Sequence, residues 1–260
     1  MSAENPTRPI ALVTGVGRTV GIGAGIALRL ARDGWDVATT YWAPYDERMP
    51  WGPQPHDVAS IAAELGDAGA ATTAVSADLT RTDSPALIFD AVEADLGRVT
   101  ALVLCHTESV DSSILDTSVE SFDRHFAVNA RASWLLIREF ANRYGQGVSQ
   151  EPGRGRIVAL TSDHTVHNLP YGASKGALDR IVIAAARELE DLRITANVIN
   201  PGPIDTGWMS NELRERVVRE NPRGRAGRPS DTAALVSFLC SEEGGWINGQ
   251  LLYSDGGLHA

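Results

Sequence analysis

Cysteine is nearly absent from the chain. Only Cys105 and Cys240 occur among the 260 residues, and they lie far apart in sequence. Two distant cysteines argue against a disulfide framework and offer no metal-ligand spacing, so no metal site is expected. The chain starts with the polar stretch Met-Ser-Ala-Glu-Asn-Pro and shows no apolar signal core there. Together these features predict a cytoplasmic location.

The chain also lacks an excess of positive charge and any long apolar run. It carries 23 Lys and Arg against 33 Asp and Glu, for a formal net charge of −10. Acidic chains are poor binders of nucleic acid and of anionic membrane surfaces, so neither is an expected partner. No apolar run approaches the ~18 residues that a membrane helix needs. Hydrophobic residues make up 43% of the chain, as is ordinary for a globular protein with a core.

The chain does contain a strand, a glycine-rich turn, a helix and a second strand near its start. The strand covers residues 10–14, the turn runs from Gly15 to Gly23, the helix covers 24–32 and the second strand 36–41. This order is typical of the βαβ unit, whose helix N-terminus is a natural phosphate site. The turn alone is weak support, because glycines also serve tight loops that need a positive φ. Its place between an apolar strand and a helix favours nucleotide binding.

Strands and helices alternate along the whole chain, with no linker and no internal repeat. This alternation predicts an α/β fold, a single doubly wound, Rossmann-type domain over residues 1–260, with a seven-stranded parallel sheet between helix layers. Residues 1–8 are expected to form a flexible tail, and residues 146–155 a polar loop. The predicted strands are 10–14, 36–41, 71–76, 101–105, 156–160, 194–199 and 250–254.

The stretch after the second strand, residues 42–57, is rich in proline and aromatic residues. It holds four prolines together with Trp42, Tyr45 and Trp51, which predicts an irregular loop. Because it follows the second strand, it could cover the adenine end of a bound dinucleotide. It could equally be a surface loop packed by its own aromatic side chains.

A second motif lies in residues 161–175, which include Ser162, Tyr171 and Lys175. If Pro170 opens a helix, Tyr171 and Lys175 lie one turn apart on the same face. A cation beside a phenol favours the phenolate and brings its pKa down from about 10 toward the working range. A hydroxyl such as that of Ser162 could donate to a carbonyl oxygen as it becomes negative. These side chains therefore predict proton transfer to and from an alcohol oxygen.

The candidate residues are expected to meet at one edge of the sheet. In doubly wound sheets, ligands bind beyond the carboxyl ends of the strands. Each of the candidate segments follows a predicted strand, and together they are the glycine turn, Asp78, 105–107, Ser162 and 201–206.

In this order, the motifs resemble the short-chain dehydrogenase/reductase family over essentially the whole chain, and most closely its 3-oxoacyl-carrier-protein reductases. The resemblance implies hydride transfer between a nicotinamide cofactor and a carbonyl or secondary alcohol carbon. The motifs that carry it are Thr14-Gly15 with Gly21-Ile22-Gly23, Asp78-Leu79, Asn129, Ser162, Tyr171-x-x-x-Lys175, Asn200-Pro201-Gly202 with Thr206, and Trp246-Ile247-Asn248-Gly249 before Asp255-Gly256-Gly257.

The resemblance also implies roles for individual residues. Tyr171 would be the general acid/base, Lys175 would lower its pKa and bind the nicotinamide ribose, Ser162 would hold the carbonyl oxygen, and Asn129 would hold a relay water. Each has an ordinary alternative, such as a local hydrogen bond for Asn129. The expected cofactor-binding residues are Thr14, Gly15, Gly17, Arg18, Gly21, Ile22, Gly23, Tyr41, Asp78, Leu79, Cys105, His106, Tyr171, Lys175, Pro201, Gly202, Ile204 and Thr206.

Three features depart from the usual family pattern. The glycine turn has two extra residues between Gly15 and Gly21, which is similar to the enoyl reductase branch. The family's Asn-Asn-Ala-Gly after the fourth strand is replaced by Leu-Cys-His-Thr at 104–107, so Thr107 stands where a glycine would let the cofactor approach closely. Ser162 lies only nine residues before Tyr171, which requires a short intervening loop.

The end of the second strand bears on the choice of cofactor. An acidic residue there binds a ribose 2′-hydroxyl and repels a 2′-phosphate. Here the strand ends at Tyr41 without an acid, while Arg18 lies in the glycine turn and Arg48 in the following loop. Either arginine could pair with a 2′-phosphate, which favours NADP(H) over NAD(H). The acidic pair at 46–47 counts against this preference.

The expected substrate is a small carbonyl or alcohol compound. Residues 208–220 are predicted to form a mobile helix over it, as a lid would, with Leu169, Trp208 and Met209 giving a partly apolar pocket. The family resemblance implies a homodimer or homotetramer built on the helices that carry Asn129 and Tyr171.

Two other functions stay open at this point. One is a nucleotide-binding regulatory protein on the same fold that has lost its chemistry, which the replacement at 104–107 suggests. The other is an enoyl reductase, which the long glycine turn suggests and which the four-residue spacing of Tyr171 and Lys175 counts against, because that branch uses a wider spacing.

Overall fold

Seven parallel strands form one sheet at the centre of the protein. They are β1 Ile10–Val13, β2 Asp36–Tyr41, β3 Thr72–Ser76, β4 Val99–Leu104, β5 Arg156–Leu160, β6 Thr195–Asn200 and β7 Leu251–Tyr253. A computed structural model describes residues 8–146 and 155–260. The order across the sheet is β3-β2-β1-β4-β5-β6-β7. The predicted Rossmann-type fold and its seven-stranded parallel sheet are confirmed.

Helices cover both faces of the sheet. They are α1 Ile22–Arg32, α2 Ala43–Glu47, α3 Asp57–Asp67, α4 Ser84–Asp95, α5 Val119–His125, α6 Ala132–Gly145, α7 Leu169–Glu188, α8 Asn211–Glu220 and α9 Pro229–Cys240. Successive strand residues point to opposite faces, so Leu12 of β1 packs with α4, α6 and α7, whereas Ala11 and Val13 pack with α1, α3 and α9. Burial on both faces explains why the strands are almost continuously apolar.

The sheet reverses its order between β1 and β4. Strand β1 pairs with β2 on one side and with β4 on the other. The connections after these two strands therefore leave in opposite directions and open a crevice beyond their carboxyl ends. The glycine turn follows β1 directly at this point, and residues 105–113 follow β4.

The structure differs from the predicted elements in three places. The 42–57 segment contains a short helix, α2, where the prolines predicted an irregular loop. The capping-box pattern at Thr117–Glu120 predicts one long helix, but a π-helical turn at Phe126–Arg131 separates α5 from α6. Helix α7 opens at Leu169 with Pro170 in its first turn, as predicted. It ends at Glu188, whereas the sequence predicts a helix to about residue 192, where the structure has a 3-10 turn at Glu190–Leu192.

The predicted flexible tail, residues 1–8, and the predicted polar loop, residues 146–155, lie mostly outside the described residues. Residues 1–7 and 147–154 are not among them. Arg8, predicted to be the last residue of the tail, is instead held by the fold. Its Nη2 donates to the carbonyl oxygens of Ala31 at 2.6 Å and Trp35 at 2.8 Å, and its Nε lies 3.1 Å from the Asp36 carboxylate.

Among the helices of the described residues, none combines the length and the apolar content that crossing a membrane requires.

The contact between α1 and α9 fixes the helix that follows the glycine turn. Gly25 of α1 lies against Pro229 at the start of α9, and a Cβ on Gly25 would come within 2.7 Å of the Pro229 Cβ. Gly66 of α3 offers a matched control, because a Cβ there would meet no atom within 4 Å.

We expect Gly25→Ala to lower the free energy of unfolding by about 1–3 kcal/mol, since it overpacks a close helix contact. Gly66→Ala should instead raise it slightly, by up to about 1 kcal/mol, because alanine loses less chain entropy in a helix. Urea unfolding of both variants measures the difference. Equal effects of the two substitutions would contradict the described α1–α9 contact.

Candidate active site

The carboxyl ends of the strands bring most of the predicted site residues to one edge of the sheet. Thr14 and Gly15 follow β1, Cys105 and His106 follow β4, Ser162 follows β5, and Pro201 and Gly202 follow β6. Tyr171 and Lys175 lie in the first turns of α7, which begins shortly after β5. We call this edge the rim. The convergence follows from the parallel direction of all seven strands.

Gly15 makes the tightest approach at the rim. Its φ is +74°, and a Cβ there would come within 2.6 Å of the His106 backbone. Gly23, in the first turn of α1, packs as closely, since its Cβ would lie 2.8 Å from the Gly15 carbonyl oxygen. A side chain at either position would push the turn away from its neighbours, so only glycine fits there.

The start of α1 is suited to an anion. Its N-cap residue is Gly21, which has no side chain to bond the free N–H groups of the first helical turn. Backbone N–H groups and the helix dipole at such an end favour a phosphate group. The residues present therefore fit the pyrophosphate of a dinucleotide.

The two extra residues of the glycine turn lie away from the N-terminus of α1. Thr19 donates its backbone N–H to the carboxylate of Asp57, the first residue of α3, at 2.9 Å, and its hydroxyl contacts the same oxygen at 3.3 Å. The Gly21 N–H closes a turn onto the Arg18 carbonyl oxygen at 3.0 Å. The lengthened turn thus folds onto α3 and leaves the N-terminus of α1 open.

Thr14 and His106 join the ends of β1 and β4. The Thr14 hydroxyl lies 2.7 Å from His106 Nδ1 and accepts the backbone N–H of Cys105 at 3.1 Å. His106 Nε2 lies 3.1 Å from the Val128 carbonyl oxygen, which can only accept, so Nε2 carries the proton and Nδ1 accepts from Thr14. Burial lowers the pKa of His106 to about 3 and keeps the imidazole neutral. The His106 side chain is thus used inside the protein, and only its backbone borders Gly15.

Arg18 connects the glycine turn to the segment after β6. Its Nη2 donates to the carbonyl oxygen of Thr206 at 3.1 Å, and its guanidinium lies 4.5 Å from the centre of the Trp51 ring. Its Nε is buried and makes no hydrogen bond among the described residues. Trp51 donates in turn to Asp46 at 2.8 Å. The 42–57 segment therefore contacts the glycine turn. Its Tyr45 and Trp51 rings also contact each other, with centroids 6.4 Å apart, so both interpretations of its sequence stay open.

Arg48, the other arginine proposed for a 2′-phosphate, is already paired. Its two terminal nitrogens each lie 2.9 Å from a carboxylate oxygen of Glu108, in a bidentate arrangement. The Glu108 side chain is 5% exposed, against 38% for Arg48. This pair corrects the expectation for Arg48, because its charge neutralises a buried carboxylate of the chain itself. Arg18 remains the candidate for a phosphate contact.

Asn129 also holds the segment after β4, through hydrogen bonds to the backbone of Glu108. Its Oδ1 accepts the Glu108 N–H at 2.7 Å, and its Nδ2 donates to the Glu108 carbonyl oxygen and to the Ser174 hydroxyl, both at 2.9 Å. Thr107 also donates to Oδ1, at 3.3 Å. The side chain of Asn129 is fully occupied by these contacts, so a relay water would have to use another atom of the residue. Asn129 lies in the π-helical turn, a distortion often found at functional sites.

Glu108 and Ser174 are site residues that sequence reasoning missed. Ser174 donates to the Tyr171 carbonyl oxygen at 2.8 Å and accepts from Asn129, so it ties α7 to the segment after β4. The position of Ser174 inside the Tyr-x-x-x-Lys motif is the sequence feature that could have identified it as a site residue. An isolated glutamate such as Glu108 gave none, because only the fold brings Arg48 and Asn129 to it.

Ser162 and Tyr171 are hydrogen-bonded, and Lys175 lies one turn further along α7, but the electrostatics differ from those expected. A hydrogen bond with Ser162 lowers the pKa of Tyr171, yet burial outweighs it and raises that pKa to about 12. Lys175 Nζ lies 5.8 Å from the Tyr171 ring centre and donates to the Leu160 carbonyl oxygen at 2.8 Å. The expected lowering of the Tyr171 pKa by Lys175 is therefore absent in this arrangement. Burial lowers the pKa of Lys175 itself to about 8.

Other predicted cofactor residues are occupied locally. The Asp78 carboxylate accepts from the Thr80 N–H at 2.9 Å and from its hydroxyl at 2.7 Å. Leu79 packs into the core under α4, and Ile204 is buried beside Gly227. Gly202 has a φ of +63°, and a Cβ there would come within 2.6 Å of the Asp255 Cβ. The contacts of Asp78 and Leu79 do not themselves point to a ligand.

Comparisons with known proteins agree with this geometry. A family model described as enoyl-(acyl carrier protein) reductase matches residues 15–259. An NADPH-dependent aldehyde reductase-like protein of Arabidopsis thaliana is 34% identical, over 95% of this chain and 93% of its own. A short-chain type dehydrogenase/reductase of Picea abies is also 34% identical, over 95% of this chain and 91% of its own. A solved structure of a blue fluorescent protein from a metagenomic library, in complex with NADPH, superposes with a TM-score of 0.84. It is 29% identical, over 99% of this chain and 100% of its own.

The Arg48–Glu108 pair gives a stability test for the closed 42–57 segment. Arg48→Met should lower the free energy of unfolding by about 1–2 kcal/mol, because it leaves the buried Glu108 carboxylate without its cation. The estimate is reduced for the partial exposure of Arg48.

Combining Arg48→Met with Glu108→Gln should recover part of this loss, whereas Arg124→Met at an exposed site should change stability by less than about 0.5 kcal/mol. Urea unfolding of the wild type, Arg48→Met, Glu108→Gln and the double variant gives the coupling, and Arg124→Met is measured beside them. Additive effects of the Arg48 and Glu108 substitutions would rule out the pair as described.

Proposed function

The chain belongs to the short-chain dehydrogenase/reductase family, and from that premise we propose that it is an NADP(H)-dependent reductase of aldehydes or ketones, with Tyr171 as its general acid/base. The family assignment makes it an NAD(P)-dependent oxidoreductase that interconverts a CH–OH group and a carbonyl. The observation that carries the proposal is the grouping of Ser162, Tyr171 and Lys175 at the same rim as the close turn at Gly15.

The cofactor fits the rim on the chemistry of its residues. The N–H groups at Gly21, Ile22 and Gly23 would bind its pyrophosphate, and the tight turn at Gly15 would allow it to approach the backbone. Lys175 would bind the nicotinamide ribose, and Thr206 would lie on the nicotinamide side. When bound, the nicotinamide supplies or accepts the hydride.

Three side chains would serve the substrate. Ser162 would donate a hydrogen bond to the carbonyl oxygen, where negative charge develops during reduction. Tyr171 would give its proton to that oxygen, and it is well suited to do so because its raised pKa keeps the phenol protonated at neutral pH. Lys175, which lies one turn further along α7, would stabilise the phenolate left behind.

We propose NADP(H) rather than NAD(H) because of Arg18. Strand β2 ends at Tyr41 without an acid that would repel a 2′-phosphate. Arg18 lies in the glycine turn and has a buried Nε with no hydrogen-bond partner among the described residues. The Arabidopsis relative is named as NADPH-dependent, and the blue fluorescent protein was solved with NADPH. These names support the preference.

Replacing Tyr171 with Phe tests the proposed acid/base role. We expect Tyr171→Phe to lower kcat by at least about 10²-fold with aldehyde substrates, because the proton donor is removed, while NADPH binding is kept. Tyr144→Phe, at a buried position of the core away from the rim, is the matched control and should keep wild-type turnover. The assay follows loss of nicotinamide absorbance. Unchanged turnover in Tyr171→Phe would remove Tyr171 from the mechanism.

An enoyl reductase is the second candidate, favoured by the description of the matching family model and by the long glycine turn. An α,β-unsaturated aldehyde separates the two functions in one assay. Carbonyl reduction gives the allylic alcohol, whereas enoyl reduction gives the saturated aldehyde. We expect the allylic alcohol, because Tyr171 and Lys175 have the four-residue spacing of the carbonyl-reducing branches.

We also propose that the chain forms a homodimer or homotetramer through α5, α6 and α7. A groove there is lined by the apolar residues Phe126, Ala130, Trp134 and Ile181, with Asp123 and Arg131 also in its lining. The Trp134 side chain is 47% exposed. A surface of this kind is typical of a protein interface.

Charge in this groove should separate the subunits. We expect Trp134→Glu to reduce the mass measured by sedimentation at least twofold, because it buries a carboxylate in the interface. Trp208→Glu, at a tryptophan with similar exposure in the predicted lid, should leave the mass unchanged. A wild-type protein that sediments as a monomer would contradict the proposal.

A further inference from the structure

His259 joins two carboxylates that belong to different parts of the chain. Its Nδ1 lies 2.6 Å from Asp255 Oδ2, and its Nε2 contacts the carboxylate of Asp163. Ionised carboxylates only accept hydrogen bonds, so the imidazole donates to both of them only in its protonated, positively charged form. Asp163 follows Ser162 directly. We call Asp255, His259 and Asp163 the histidine clasp.

One end of the clasp is firmly fixed. The Asp255 side chain is 5% exposed. Its oxygens accept the backbone N–H groups of Gly257 at 2.9 Å and His259 at 3.1 Å, and its carbonyl oxygen accepts from Asn221 Nδ2 at 2.8 Å. Asn221 directly follows α8, which lies in the predicted lid, and Gly202 packs closely on the Asp255 Cβ. Asp255 is thus tied to the segments after β6 and α8.

The other end is loosely held. The Asp163 side chain is 48% exposed, and His259 is 37% exposed. Ser162, the neighbour of Asp163, accepts a hydrogen bond from the His164 N–H at 3.2 Å, within its own short loop. His167 in the same loop has a φ of +62°, a left-handed conformation that a side chain disfavours. An ion pair to a fixed partner is therefore well placed to restrain this loop.

We propose that His259 is a positioning residue for the proposed carbonyl reduction: in its protonated form it ties Asp163 to the fixed Asp255 and so holds Ser162 against Tyr171. This inference rests on the proposed function, because only there does the position of Ser162 matter for a reaction. Loss of the proton from His259 removes one of its two hydrogen bonds and opens the clasp at Asp163, its more exposed end.

The direction of the pH dependence follows from the groups around His259. Asp255 and Asp163 raise its pKa above the ordinary value near 6.5. The Tyr253 ring lies 4.5 Å from the imidazole, and the Arg223 side chain lies near Gly256. Because the pKa is higher in the folded protein, the restraint is fully present below about pH 6.5 and is lost as pH rises through the raised pKa.

The clasp also bears on Tyr171. The charge of Asp163 contributes to raising the pKa of Tyr171. A cation beside Asp163 offsets that charge. The protonated clasp therefore acts on the proposed site both through the position of Ser162 and through the field at Tyr171.

Variants of His259 test the clasp by kinetics. We expect His259→Gln to lower kcat with an aldehyde on the order of tenfold at pH 6, because small displacements of a positioning group are costly, with NADPH affinity unchanged. His259→Arg keeps a cation that can reach both carboxylates and stack on Tyr253. It should retain most of the activity and should lose the alkaline fall that the wild type shows. His56→Gln, at an exposed histidine just before α3, should behave as wild type.

Measurements without substrate keep the clasp separate from the proposed reaction. NMR titration should give a His259 pKa above 6.5 in the wild type, and Asp163→Asn should move it down, more so at low salt because this end of the clasp is exposed. Amide hydrogen exchange at residues 162–168 should be at least about threefold faster in His259→Gln than in the wild type and His259→Arg.

These outcomes separate two kinds of failure. An unshifted His259 pKa, or equal exchange in all variants, would overturn the clasp even if the protein reduces aldehydes. A shifted pKa and faster exchange in a protein that reduces no carbonyl would contradict the proposed function and, with it, the positioning role. Wild-type kcat in His259→Gln would overturn the positioning role while leaving the proposed function in place.

Discussion

The parallel direction of all seven strands is the constraint on which the rest of the structure depends. Because every strand ends at the same edge, segments distant in sequence are delivered to one rim, and the reversal of order between β1 and β4 opens a crevice there. The glycine turn, the segment after β4 and the start of α7 reach this crevice from three separate connections. A site assembled in this way needs further contacts to hold its parts in register.

Buried polar contacts supply that register. Thr14 and His106 bond the end of β1 to the end of β4, and Asn129 holds Glu108 on one side while reaching Ser174 of α7 on the other. Each of these polar groups finds its partners inside the protein, which is the condition under which buried polar networks stabilise one arrangement. The Leu-Cys-His-Thr sequence at 104–107 therefore carries its own set of bonds in place of the usual family motif.

The sequence was informative where a pattern is local. The alternation of apolar strands and helices predicted the sheet, and Pro170 with Tyr171 and Lys175 predicted the start of α7. It failed where a contact depends on the fold. Arg48 pairs with Glu108, and His259 pairs with Asp163, across up to about a hundred positions of sequence. The burial that raises the pKa of Tyr171 also arises only in the folded protein. The π-helical turn at Asn129 was missed because helical periodicity does not register a single wider turn.

The central claim is that the rim holds a nicotinamide dinucleotide, preferring the 2′-phosphorylated form, despite its lengthened glycine turn. Titration of the purified protein with NADPH and with NADH, followed by nicotinamide fluorescence, tests it most directly. The account predicts saturable binding of both, tighter for NADPH, and an Arg18→Met variant in which that advantage falls about tenfold while NADH binding is unchanged. Binding of neither form would show that the substitutions at 104–107 and the extra turn residues have closed the site, which would contradict the account.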